Sequence, residues 1–157
     1  MTVVLRHNAN LELNLVEYRD VVTLAELKAL ADFVAAHPQH MARDALAVVM
    51  PGARFSDVDA TALDQLFAHY RKLYAPIQFQ LLRRSAWICQ SEAAAPQVRH
   101  WLSGDTREGM SSAVRQFDTI AEAGEWLVLS AAEIALAERR EGFAELARFG
   151  EAHASVR

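Results

Sequence analysis

The feature that most constrains the fold is a short apolar segment, ALAVVM, at residues 45–50, followed directly by Pro51-Gly52. A run this short that is apolar at every position is typical of a strand buried on both faces. Strands of that kind occur in sheets whose two faces are covered by helices. The segment therefore predicts an α/β fold.

Other regions carry the pattern of strands. Residues 3–5 are apolar and residues 11–18 mostly alternate between apolar and polar, with a turn at 7–10, which predicts an N-terminal β-hairpin. Residues 77–82 alternate in the same way, and residues 114–117 form a short β-type run. With the central apolar segment, these regions predict a mixed, mostly parallel sheet of about four to five strands.

Several helix starts are marked by capping boxes, in which a hydroxyl residue and an acid three positions later satisfy each other's backbone N–H groups. These pairs are Thr23 with Glu26, Thr119 with Glu122, and Ser130 with Glu133. They predict helices that begin just after each hydroxyl residue. Two further helices are predicted, one starting near residues 56–59 and one over residues 92–102.

The C-terminal part of the chain predicts a helical extension. Phe143, Leu146 and Phe149 recur at helical spacing after Gly142, which indicates a last amphipathic helix packed on the rest. The predicted order is β-β-α-β-α-β-α-β-α-α. We expect an α/β domain over residues 1–127, a helical extension over 128–150, and a disordered tail over 151–157. If the extension does not fold back, its apolar side chains favour a homodimer.

Composition excludes several classes of protein. The 157 residues carry a net charge of −4, and the basic pairs Arg83-Arg84 and Arg139-Arg140 are too short to form the basic face that nucleic acid requires. No apolar run is long enough to cross a bilayer and no signal peptide is visible, so we expect a cytoplasmic protein without membrane insertion. The single cysteine, Cys89, excludes an intramolecular disulfide.

The chain resembles the SpoIIAA-like family, the fold of anti-sigma-factor antagonists and STAS domains, which is related to lipid-carrying SEC14 domains. The resemblance covers roughly residues 11–127 and is one of pattern. The stretches that carry it are VEYRDVVTLAELKALADFV (16–34), ALAVVMPGARFSDVDATALDQLF (45–67), QLLRRSAW (80–87) and VRQFDTIAEAGEWL (114–127).

The resemblance implies a function in binding protein partners or small ligands. In the antagonists, phosphorylation of a Ser or Thr at the start of a helix controls partner binding. The position here that aligns best with this phosphoacceptor is Asp59, whereas Ser56 and Thr61 are offset from it. The resemblance thus implies a regulatory module whose contact surface lies near these residues.

The residues themselves give one candidate site, at the carboxyl edge of the predicted sheet, where ligands commonly bind in α/β folds. Arg83 and Arg84 would follow a strand that ends at residue 82. They would face the loop that follows the neighbouring strand at residues 45–50, where a helix N-terminus could help hold an anion or a partner. The loop residues are Phe55, Ser56, Asp57 and Asp59. The alternatives are helix capping by Ser56 with dipole complementation by the aspartates, and plain surface pairing of the arginines with them.

The leading hypothesis is a non-enzymatic regulatory or protein-interaction module. A small-molecule or lipid-binding domain is the alternative, and an enzyme using Ser56, Asp57, Asp59 and Arg84 is the third. No cofactor is implied, and the histidines lack the spacing of metal ligands, so no metal site is predicted. Three tryptophans lie at apolar positions, where core packing is expected, although they could also line a pocket. These are Trp87, Trp101 and Trp126.

Overall fold

The computed structural model describes residues 2–75, 83–103 and 112–150. They form an α/β structure, as the sequence predicts, with more strands than expected. The strands are β1 (Val3–Asn8), β2 (Leu13–Tyr18), β3 (Val21–Thr23), β4 (Asp44–Val49), β5 (Arg54–Ser56), β6 (Arg83–Cys89), β7 (Ser112–Phe117) and β8 (Ala144–Phe149). The helices are α1 (Leu24–Ala36), α2 (Pro38–Met41), α3 (Ala60–Tyr74), α4 (Ala95–Trp101), α5 (Ile120–Trp126) and α6 (Ala131–Arg139).

The central sheet has six strands in the order β7-β6-β4-β2-β1-β8. β1 and β2 form the predicted antiparallel hairpin, and β2, β4, β6 and β7 run parallel to one another. Parallel neighbours require crossover connections, which is why helices lie between these strands in the chain. β3 and β5 pair separately in a two-stranded parallel sheet, at the carboxyl edge of β2 and β4.

β4 lies near the middle of the sheet and is buried on both faces, as the apolar segment predicts. Ala47 and Val49 belong to the core under α1, α3 and α4, whereas Leu46 and Val48 belong to the core under α5 and α6. Since side chains alternate along a strand, one apolar run supplies both cores. We call these the α3 face and the α5 face of the sheet.

The predicted helix caps are present. The Thr23 N–H donates to Glu26 Oε2 at 2.9 Å, and the Ser130 N–H donates to Glu133 Oε1 at 2.8 Å. At α5 the Glu122 N–H donates to Thr119 Oγ1 at 3.1 Å. These bonds satisfy donors that a helix leaves unpaired at its start, so the local sequence determines where each helix begins.

The prediction of a helix over residues 143–149 is wrong, because this segment forms strand β8 antiparallel to β1. β1 would otherwise be an open edge, and pairing it satisfies its backbone groups. Phe143 is buried in the core of the α5 face, and Leu146 and Phe149 pack against the core of the α3 face. Their spacing of three thus reflects a loop residue followed by a bulged strand, not a helix.

The strand predicted over residues 77–82 lies outside the described residues, as does the tail predicted over 151–157. The described strand of this region, β6, begins at Arg83. Trp87 and Cys89 belong to β6, and the helix predicted over 92–102 is confirmed in a shorter form, α4, with Pro96 in its first turn. Within the described ranges, every helix is too short or too polar to traverse a lipid bilayer.

Candidate functional site

The predicted loop residues lie after β4, but they differ in environment. Asp59 is the N-cap of α3, because its Oδ1 accepts the Ala62 N–H at 2.8 Å, whereas the sequence interpretation assigned the cap to Ser56 and gave Asp59 only dipole complementation. Ser56 is not a cap, because it ends strand β5 opposite Thr23. Asp57 is exposed in a left-handed turn with φ 58°. Phe55 alone among them turns toward the interior.

The expected meeting of Arg83 and Arg84 with this loop is wrong. Both arginines begin β6, next to Asp44 at the start of β4, so they lie at the amino edge of the parallel strands. The loop lies beyond the carboxyl end of β4, about 17 Å along the strand. The sequence predicted that the arginines follow the end of a strand, whereas they are the first two residues of β6. They therefore lie at the amino edge instead of the carboxyl edge.

Arg84 has partners of its own at the amino edge. Its backbone N–H donates to Asp44 Oδ1 at 2.7 Å, and its Nη1 donates to the Trp126 carbonyl at 2.7 Å. Its guanidinium also lies 6.0 Å from the centre of the Trp126 ring. These contacts fix α5 to the start of β6, so Arg84 has a structural role that replaces the predicted pairing with Asp57 or Asp59.

A cavity of about 130 Å³ lies between the α3 face of the sheet and the helices α1, α3 and α4. It extends from Asn14 and Arg83 at the amino edge to Phe55 at the carboxyl edge. The cavity is thus lined by one residue of the predicted loop, Phe55, and by one of the two predicted arginines, Arg83. These two residues lie at opposite ends of the same cavity inside the protein.

Aromatic side chains lie among the aliphatic residues of the cavity wall. The six of them are Tyr18, Phe55, Phe67, Tyr70, Trp87 and Trp101. The Tyr18 and Trp87 rings are stacked, 5.5 Å apart and 16° from parallel, and Phe55 lies 6.0 Å from Tyr18. Trp101 contacts Phe67 and Tyr70 at 6.0 and 5.9 Å. Two ring clusters, one on the sheet and one on the helices, therefore border the same space.

Two polar groups of the wall lack partners among the described residues. The Gln97 amide Oε1 is buried without a hydrogen bond. Tyr18 is buried, none of the described side chains or backbone groups bonds its hydroxyl, and burial raises the pKa of this phenol. Buried Tyr hydroxyls and amides normally find a partner, so both groups are available to a guest molecule.

Asn14 shows the contrasting situation at the amino end of the cavity. Its Nδ2 donates to the His40 carbonyl at 2.7 Å, and its Oδ1 lies 2.9 Å from His7 Nδ1. Asn14 is thereby fixed, and the rings of His7 and His37 lie 5.1 and 6.4 Å from the ring of His40. Burial, followed by the charges of His7, His37 and Arg43, lowers the pKa of His40.

Sequence reasoning named Trp87 and Trp101 as residues that could line a pocket, and both do. Trp126, the third tryptophan, lies on the α5 face against Phe117 at 5.4 Å. Tyr18 and Gln97 were missed, because nothing in a single sequence distinguishes an unpaired buried polar group from a paired one. In the described parts of the chain, no three His, Cys, Asp or Glu side chains lie close enough together to hold a metal ion.

Comparison with known proteins identifies no relative. No protein-family model, no curated protein and no solved structure matches the chain. The resemblance to SpoIIAA-like proteins therefore stays a prediction.

Proposed function

We propose that this protein binds one small, planar and largely apolar molecule in the cavity under α1, α3 and α4. The supporting observation is an aromatic-lined cavity whose wall offers an unpaired hydroxyl, on Tyr18, and an unpaired amide oxygen, on Gln97. Ligand sites in proteins commonly combine such an apolar wall with a few polar groups that fix orientation.

The apolar wall of the cavity supports this proposal. Removing apolar surface from water is favourable by roughly 25 cal/mol per Å². A ligand that packs against the aliphatic and aromatic side chains of the wall gains this energy, and binding then stabilises the folded state.

The size of the cavity defines the ligand class. A dry cavity of about 150 Å³ takes a benzene ring, whereas drug-sized ligands occupy several hundred Å³. The cavity therefore fits one ring or a short branched chain, and it is too small for a two-chain lipid. A ring that accepts a hydrogen bond from Tyr18 and donates one to Gln97 would satisfy both unpaired groups.

The lining favours binding over reaction. Among the described wall residues, the titratable side chains are Tyr18, Tyr70 and Arg83. None of these types exchanges a proton readily near neutral pH without a strongly altered pKa, and burial moves the Tyr18 pKa further from neutrality. General acid–base catalysis needs a group that titrates near the working pH.

A direct test titrates benzene and phenol against the protein, with calorimetry and thermal melting as readouts. Saturable binding is expected, with phenol tighter than benzene because its hydroxyl can donate to Gln97. Ala47 lies on β4 in the cavity wall, so Ala47→Leu should fill the space and abolish binding. Ala68→Leu adds the same atoms to the exposed side of α3 and serves as the matched control. Unchanged binding in Ala47→Leu would refute the site.

A second candidate function is a regulatory or protein-interaction module, as the sequence predicts, and the position of Phe55 favours it. This residue lines the cavity, yet it belongs to β5, which leads directly into the exposed Asp57 turn and the start of α3. A ligand that contacts Phe55 would thereby alter a surface segment. Hydrogen exchange with and without phenol tests this coupling, which predicts slower exchange at residues 54–59. Unchanged exchange there under saturating phenol would remove this candidate.

A further inference from the structure

A buried carboxylate with three arginines lies on the opposite face of the sheet. Glu17, near the carboxyl end of β2, has a side chain only 2% exposed. Arg6 Nε donates to its Oε1 at 2.9 Å, Arg19 Nη2 lies 3.2 Å from the same oxygen, and Arg140 Nε lies 3.3 Å from Oε2. We call these four residues the arginine cluster.

The cluster holds more positive charge than the carboxylate needs. Burial acts to raise the pKa of Glu17, but hydrogen bonds from Arg6 and Arg19 and the charge of Arg140 hold it below the ordinary value. Glu17 is therefore ionised at neutral pH, and three guanidinium groups around one carboxylate leave an excess of two positive charges. This local excess stands out in a chain whose net charge is −4.

The neighbouring charges do not cancel the excess. Glu145 lies opposite Arg6 on the adjoining strand β8, but it forms an ion pair with Arg148. That pair is neutral as a unit. The exposed Asp20 follows Arg19 in a left-handed turn, and it has no ion pair with a described member of the cluster.

Donor groups remain unused within the cluster. Arg19 Nε is buried without a hydrogen-bond partner, and the terminal nitrogens of Arg6 have no acceptor among the described residues. Arg140 differs, because its Nη1 donates to the carbonyls of Ala137 and Glu138 at 3.1 Å each. Arg140 is thus a fixed part of the cluster, while Arg6 and Arg19 keep N–H groups for another acceptor.

The cluster is also accessible. The side chains of Arg19, Arg6 and Arg140 are 41%, 23% and 21% exposed, so a solute can reach them. They lie where β2 ends, at the carboxyl edge of the parallel strands, which is the edge at which α/β folds commonly bind ligands.

We propose that the arginine cluster is an oxyanion site that binds a phosphate group, either free or as part of a small phosphorylated molecule. Arg6 and Arg19 would donate to its oxygens, and Arg140 would add its charge from a fixed position. Guanidinium groups match the geometry of phosphate oxygens and form paired, charge-assisted hydrogen bonds with them. A bound phosphate would neutralise the two excess charges and supply acceptors for the unused N–H groups.

The test titrates the protein with inorganic phosphate and with methyl phosphate in a phosphate-free buffer, using calorimetry and ³¹P NMR. Saturable binding of both is expected. Preference for the monoester would identify a phosphorylated small molecule as the ligand class, and preference for the free ion would identify phosphate itself.

Variants assign the binding to the cluster. Arg19→Gln should weaken phosphate binding by at least about tenfold, the effect of one lost charge-assisted hydrogen bond. Arg139→Gln removes an equal charge from the exposed pair with Glu141 and should leave binding unchanged. Arg6→Lys keeps the charge but loses the paired geometry, so it should weaken binding without unfolding the protein. Circular dichroism checks the fold of each variant.

Two results would overturn the proposal. One is the absence of saturable phosphate binding to the wild-type protein in the millimolar range. The other is a folded Arg19→Gln or Arg6→Lys variant that binds phosphate as tightly as Arg139→Gln does. Neither result would affect the aromatic cavity, because the ring probes report on the other face of the sheet.

Discussion

The two faces of the central sheet are built from the same strands but differ in packing and charge. On the α3 face, aromatic rings surround open space of about 130 Å³. On the α5 face, small residues permit close packing: Ala86, Ala123 and Ala137 are fully buried, and a methyl group added at Gly124 would collide with Ile134. Strand β2 serves both faces, since Tyr18 points to the cavity and Glu17 to the arginine cluster. Alternation along one strand thus separates an apolar site from a charged one.

The largest expected effect comes from removing the charge at the centre of the arginine cluster. Glu17→Gln leaves three arginines without their carboxylate and should lower the free energy of unfolding by about 3 kcal/mol, measured by urea denaturation. Glu12→Gln, which loses only a surface ion pair with Arg43, should change it by less than about 1 kcal/mol. Equal losses in the two variants would show that burial of Glu17 has no special energetic role.

The difference in packing predicts opposite responses to added volume. Ala86→Leu on the packed face should cost about 1–3 kcal/mol, because the surrounding side chains must shift. Ala47→Leu, on the neighbouring strand but facing the cavity, should cost much less or stabilise the protein by filling the space. Thermal and urea unfolding of the two variants measure this contrast. A similar cost at both positions would mean that the cavity cannot accept atoms.

A smaller gain is expected at the end of α5. Val128 has φ 63° and is 74% exposed, a strained conformation for a β-branched residue at a position where helices usually place glycine. Val128→Gly should raise the free energy of unfolding by about 1 kcal/mol. Arg140 has φ 58° at the end of α6 but holds Glu17, so Arg140→Gly should be destabilising instead. Urea unfolding of both variants checks the sign of each change.

The smallest effect concerns pH at the amino end of the cavity. Since the folded protein lowers the pKa of His40 below 6.5, the unfolded chain binds the proton more tightly. Titration of His40 therefore does not lower the free energy of unfolding above pH 6.5, and it lowers this free energy progressively as the pH falls below 6.5. His40→Asn should flatten the loss of stability over this range, measured by thermal melting across pH. His100→Asn, on the outside of α4, is the matched control, and equal slopes in both would contradict the prediction.

Local signals allowed much of the fold to be predicted. The hairpin, the buried strand β4 and the caps at Thr23, Thr119 and Ser130 depend on neighbouring residues, and all are present. β8 was mistaken for a helix, since its formation depends on pairing with β1, more than a hundred residues earlier. The predicted end of a strand at residue 82 was wrong for a similar reason, because β6 extends over Arg83–Cys89 in a register determined by β4 and β7.

The candidate sites were less predictable than the fold. Aromatic residues at apolar positions suggested a pocket in outline, and Trp87 and Trp101 do line one. Arg83 and Arg84 were predicted as site residues because they are adjacent in the sequence. The arginines that converge on Glu17, in contrast, lie far apart in the sequence. Such convergence arises only when the sheet has folded, so no short sequence motif predicts it.

The position of β1 between β2 and β8 joins the beginning and the end of the described chain. The Thr2 N–H donates to the Phe149 carbonyl at 3.1 Å, so the two extremities of the fold are side by side. Force applied to them in opposite directions would open the β1–β8 ladder one hydrogen bond at a time, as a zipper opens, without loading the parallel strands. During synthesis, β1 also lacks its outer partner until β8, more than a hundred residues later in the chain, has been made. A low resistance to pulling at the β1–β8 pair and the late completion of the sheet are thus both expected from the strand order.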